Sequence, residues 1–137
     1  MHKRQIAGLF VLVAVVMALA APAGANRSVA AARVVNVTAG KPSEFRFVVL
    51  PKVIPHGLVV FKISNSPTAS LPHDFKICAS PKGTLAKNVC AGKSSTTISP
   101  GVKTTVTFTF KTKGTYEYLC TIPGHAAAGM KGLLKVT

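Results

Sequence analysis

Cys120, His125 and Met130 stand at even intervals near the end of the chain, with four residues between each pair. His73 lies far upstream, at the head of the alternating run LPHDFKI. Together they offer one thiol, two imidazoles and one thioether. Thiolate and thioether are soft ligands, imidazole is intermediate, and no carboxylate is positioned to join them. Structural zinc takes four strong nitrogen or sulfur ligands, and a thioether is a poor fourth. A plane of two imidazoles and a thiolate, with a weak axial thioether, suits a single copper ion that carries electrons. Taken singly, these residues read as a structural histidine, an inert buried thiol and a core-filling methionine. The set and its spacing reverse that reading. Cys120 ends one run, the chain turns at Pro123-Gly124, and His125 and Met130 follow before the next run. His73 must reach them from a neighbouring strand end.

The elements around these residues read as strands. From Arg33 onward, short alternating runs are separated by Gly, Pro, Asn and Ser, a pattern of an all-β sandwich or barrel. RVVNV, EFRFVVL, GLVVFKIS, HDFKIC, TTVTFTF, TYEYLC and GLLKVT are the runs, seven to eight strands in all. Side chains alternate along a strand, so His73, Phe75 and Ile77 share one face while Asp74, Lys76 and Cys78 take the other. By the same rule Tyr116, Tyr118 and Cys120 point together, and Phe45, Phe47 and Val49 oppose Glu44 and Arg46. The stretch AAAGM after His125 is too short to stand as a helix. The runs predict two packed antiparallel sheets with Greek-key links, enclosing one core.

The front of the chain has a different character. His2, Lys3 and Arg4 precede an apolar run from Ile6 to Ala21, and Ala23-Gly24-Ala25 supplies small residues for cleavage. This is a secretory signal pattern. A retained anchor is the alternative, but the 16-residue run falls short of a span, which takes about 20. No cysteine lies near the cleavage site, so lipid attachment there is excluded. The expected division is a signal segment at 1–25 and one domain at 26–137, exported to the periplasm or beyond, with no stable membrane span after cleavage.

Three cysteines in an exported chain leave one over. Cys78 and Cys90 flank a polar loop whose closure suits a disulfide in an oxidising compartment. Cys120 then stands alone, and a bound metal is the simplest protection for it. Without Lys3 and Arg4, 15 basic residues face three acids (Glu44, Asp74 and Glu117), a net charge of +12. Export argues against nucleic acid as the partner, and the lysines are spread out with no dense run. Such a charge either solvates the surface or draws in an acidic partner.

The TYEYLCTIPGH and HAAAGM segments, with His73 upstream on a β pattern, resemble the cupredoxins, the small blue copper proteins. The resemblance covers Val34 to Val136. The Cys-to-His spacing is similar to the azurin type and the His-to-Met spacing to plastocyanin. The combination is nearest the auracyanin, rusticyanin and sulfocyanin type. The resemblance implies copper ligation by His73, Cys120, His125 and axial Met130, and a soluble one-electron carrier. Family members often have Asn after the first histidine, whereas here it is Asp74. Its backbone N–H is expected to face the Cys120 sulfur, and its carboxylate to accept from Thr121. His56, between Pro55 and Gly57, reads as a surface residue.

Three functions compete. A copper oxidase or nitrite reductase needs further copper held by several more histidines, and beyond the named ligands only His56 remains after the signal segment. Catalysis by this chain alone is therefore not expected. Copper storage or delivery uses exposed, exchangeable clusters, whereas only Met130 survives removal of the signal. A monomeric carrier serving a redox partner with an acidic docking surface is the leading reading.

Overall fold

The structure is a computed structural model that describes residues 31–81 and 87–137. The signal segment expected at 1–25 and the domain start at 26 lie outside the described residues. Within them the chain forms nine strands and no α-helix. These are β1 (Arg33–Ala39), β2 (Phe47–Leu50), β3 (Val53–Ile54), β4 (Gly57–Asn65), β5 (Lys76–Cys78), β6 (Gly92–Ser94), β7 (Lys103–Phe110), β8 (Gly114–Leu119) and β9 (Lys131–Val136). Among the described residues no helix is long and apolar enough to cross a membrane.

The alternation in sequence becomes the alternation in burial. β1 buries Val35, Val37 and Ala39, and β4 buries Val59, Phe61, Ile63 and Asn65. One sheet runs β2-β1-β4-β7 and the other β3-β9-β8-β5-β6. Between them lies a core that includes Phe61, Phe75, Phe110, Tyr116 and Tyr118. Neighbouring rings in this group lie 4.7–6.2 Å apart, in tilted or edge-on contact. Aromatic pairs favour such contacts over flat stacking. A close-packed core of this kind holds its strand ends to fixed positions.

The architecture is the expected β-sandwich, with nine strands where seven to eight were expected and four further differences of detail. The sheets are mixed: β1 pairs β4 in parallel, and β3 pairs β9 in parallel. Parallel and antiparallel strands share the same two-residue period, so pattern alone does not separate them. The run from His73 is a strand only from Lys76, and His73 itself meets Ile98 through an isolated bridge. β2 begins at Phe47, because Glu44 and Phe45 lie in a turn closed by Arg46 N–H donating to Ser43 O at 3.1 Å. β8 buries Glu117 and Leu119 as well as the tyrosines, and Leu119 packs against the Cys78–Cys90 disulfide.

Candidate metal centre

All four sulfur and imidazole residues come to one end of the sandwich. β8 ends at Leu119, which pairs with Lys131, the first residue of β9. Cys120 and Met130 continue that ladder one step, with Cys120 N–H donating to Met130 O at 3.0 Å. The intervening loop folds on itself: Met130 N–H reaches His125 O at 2.9 Å, and Ala128 N–H reaches Gly124 O at 2.9 Å. Gly129 takes φ +107°, which favours glycine, and lies directly beneath the Arg46 guanidinium. Arg46 Nη1 also donates to Ala128 O at 3.0 Å, so the loop is held from outside as well.

Three donors converge within this frame. His73 Nδ1 stands 3.2 Å from His125 Nδ1, and Cys120 Sγ stands 3.5 Å from the same nitrogen. The three ligand atoms all lie within 4.8 Å of one another, and all three residues are buried. Metal–ligand bonds of roughly 2.0–2.3 Å in a trigonal plane place donors about 3.5–4 Å apart, so this triangle has the size of a metal site. Met130 is fully buried in a small cluster with Cys120 and Ala39, against which Phe45, Phe47 and Ile122 pack. Its thioether thus lies in the same apolar pocket as the thiol.

The electrostatics fit a cation. Burial pushes the Cys120 thiol up to about 11, although backbone N–H groups of Asp74 and Ile122 act in the opposite sense. Burial, reinforced by the nearby His73 ring, holds His125 below the usual imidazole range. Two converging imidazoles and a thiol thus share a dry pocket, where deprotonated sulfur calls for a positive partner. His73, Cys120 and His125 would hold a metal ion there, and its charge would favour the thiolate form of Cys120. The residues present fit copper, since soft sulfur and imidazole dominate and no carboxylate belongs to the triangle.

The other singled-out residues fall as follows. Asp74 is buried beside the site, and its carboxylate accepts from both the backbone N–H and the hydroxyl of Thr121. It therefore ties the His73 segment to the Cys120 loop. Cys78 and Cys90 form a disulfide and leave Cys120 as the free cysteine among the described residues. His56 is exposed, with Nδ1 3.1 Å from Thr137 O. One residue was not anticipated. Glu44 accepts from His73 Nε2–H at 2.9 Å, although its turn comes 29 positions earlier. The signal available was only the polar turn residues ahead of β2, which do not say where a side chain will land. Backbone donation from Ser70, then Leu71 and the His73 contact, holds the Glu44 carboxyl below its usual range against a partial burial penalty.

Comparison with known proteins agrees with this site. A family model described as copper-binding proteins of the plastocyanin/azurin family matches residues 27–137. Auracyanin-B of Chloroflexus aurantiacus is 52% identical over 40 residues, 29% of this chain. That match spans 17% of the length of the curated relative. A solved auracyanin B structure aligns at TM-score 0.62 and 25% identity, over 77% of this chain and 89% of its own. Rusticyanin from Thiobacillus ferrooxidans aligns at TM-score 0.59 and 28% identity, over 76% of each chain. With the sandwich, the converging donors and a family match over nearly the whole described chain, this protein belongs to the plastocyanin/azurin family of copper-binding proteins.

Proposed function

We propose that this chain is an exported one-electron carrier whose copper is held by His73, Cys120 and His125, with Met130 as the weak axial ligand. The family consists in general of blue copper electron carriers. The observation that carries the proposal is the buried convergence of two imidazole Nδ1 atoms and one sulfur beside a buried thioether. A copper ion held there would supply one-electron chemistry through its Cu(II) and Cu(I) states. The chain's part is to keep the donors still. His73 is pinned by Glu44 and by backbone bonds to Ile98, and Cys120 and Met130 by the loop ladder. Donors fixed by packing need little rearrangement when charge changes, which lowers the barrier to transfer. Burial of every donor also speaks against ready copper exchange, and so for a carrier over a storage or delivery protein.

The exit follows from exposure. His73 has none, whereas His125 keeps 8% of its surface open. Around it Pro123, Gly124, Ala127 and Ala128 are exposed and uncharged, while Ala126 turns inward onto Leu119 and Cys78. A partner can approach His125 across these small residues, with the Arg46 guanidinium at the Ala128 edge of the patch. The basic surface then draws in an acidic partner and speeds encounter. The leader pattern and the Cys78–Cys90 disulfide support export, since disulfides persist in oxidising compartments.

Electron exchange with an acidic and a basic cytochrome, followed across ionic strength, tests this reading. The acidic partner should react faster at low salt and slow as salt rises, the attraction being screened over about 10 Å at 0.1 M. Ala127→Glu should slow exchange without bleaching the protein. A faster reaction with the basic cytochrome, or no effect of Ala127→Glu, would place the exit on another face.

A further inference from the structure

The two histidines of the candidate site differ at their outer nitrogens. His125 keeps 8% of its surface open, but His73 is fully buried and its Nε2 is taken by the Glu44 carboxylate. Every acceptor of that carboxylate faces the His73 segment. Oε1 accepts from His73 Nε2–H at 2.9 Å and from Leu71 N–H at 3.0 Å, and Oε2 accepts from Ser70 N–H at 2.8 Å. One side chain thus fixes both the ring and the backbone that leads into it. Glu44 is itself held in place. Its neighbour Phe45 packs edge-on against His125 at 5.1 Å, and Arg46 anchors to Ala128 O. The turn therefore touches both segments that contribute donors.

We propose that Glu44 is a positioning residue for the metal site: it holds the His73 proton on Nε2, keeps Nδ1 free to ligate, and favours Cu(II) over Cu(I). This inference rests on the ligand set proposed above. The physical reasons are two. A carboxylate on the far nitrogen raises the basicity of a ligating imidazole, as outer partners of metal-bound histidines generally do. A fixed negative charge one ring away also stabilises the ion more when it carries the larger charge. A neutral acceptor in the same place would give only the first effect, and more weakly. Both effects push the reduction potential down.

The test uses the mature protein and its Glu44→Gln variant, which keeps the shape of the side chain and removes its charge. Chelator competition should show Cu(II) bound about 10–100-fold more weakly in the variant, the range expected for loss of such an outer partner. Cu(I) affinity should fall by a smaller factor, so the potential rises, while the blue colour persists. Glu44→Asp keeps the charge but shortens the reach, and should fall between the two. Equal losses for both oxidation states, or none, would make Glu44 a simple loop staple and overturn the proposal. A second measurement does not depend on how the variants fold. In the metal-free wild type at mildly alkaline pH, nitrogen NMR should find the His73 ring proton on Nε2. A proton on Nδ1 with Nε2 bare would overturn the proposal directly. Wild-type protein that takes up no copper would instead refute the ligand set, and this inference with it.

Discussion

Two segments adjoin strand β8, and each depends on sulfur in a different way. The segment from Cys78 to Cys90 is closed by a covalent bond between residues 12 positions apart. The loop from Cys120 to Met130 is closed by backbone hydrogen bonds and keeps its thiol free. The two meet in one small cluster, where Cys78, Leu119 and Ala126 pack with Cys90. What separates the fates of the three sulfurs is what each faces. Cys78 faces another thiol across the outside of the sheet. Cys120 faces two imidazoles in a dry pocket, with no second cysteine in reach among the described residues. One segment should therefore govern stability and the other colour, and the two properties should come apart on mutation.

The largest effect that could break this contrast is loss of the thiolate. Cys120→Ser should abolish the visible absorption of the Cu(II)-loaded protein, because sulfur-to-metal charge transfer supplies the colour. Its far-ultraviolet circular dichroism should stay that of a β-sandwich. Colour that survives would show that another residue provides the sulfur. Next in size is the covalent closure. Cys78→Ser/Cys90→Ser should lower the unfolding free energy of the metal-free protein by about 3 kcal/mol, the chain-entropy value for a loop of this length. Urea unfolding measures it, and the blue colour should remain. A bleached double variant would mean that the outer segment shapes the metal site.

A finer test concerns the axial position. Met130→Leu conserves volume, so it should cost less than about 1.5 kcal/mol in stability. The trigonal donors should persist while the potential rises, because the thioether no longer donates density to Cu(II). A lower potential, or complete loss of copper, would count against Met130 as the axial ligand. The smallest effect is on acid stability. His125 is held below the ordinary imidazole range, so as pH falls through 6.5 the unfolded chain takes up a proton that the folded one resists. Stability of the metal-free protein present above that pH should decline below it. Glu44, held below 4.5, should add a second decline in more acidic solution. His125→Asn should flatten the first decline, and a profile unchanged by that variant would assign it elsewhere.

The sequence made some parts of this molecule legible and hid others for physical reasons. β1, β4, β7 and β9 could be read because long half-buried strands alternate, and Val35, Val37, Phe61, Val106 and Leu134 mark the buried side. β3 and β6 could not, since two and three residues are too few to show a period. β8 was legible on its tyrosine face only; Leu119 is buried by Cys78, Cys90 and Ala126 from other parts of the chain, which no local pattern announces. At the site, donor chemistry singled out His73, Cys120, His125 and Met130 because their types are rare in this chain and the last three are evenly spaced. Asp74 drew notice by standing next to a histidine. Glu44 did not, because strict alternation placed it on the outer face of a strand that in fact begins at Phe47. A turn, unlike a strand, gives no rule for where its side chains point.

The most direct measurement is a titration of the metal-free mature protein with Cu(II), followed by visible absorption. A site built from His73, Cys120, His125 and Met130 predicts an intense blue band that rises linearly and stops at one equivalent of copper. Colourless binding, or a band that keeps growing beyond one equivalent, would contradict the single thiolate-ligated site on which the account depends.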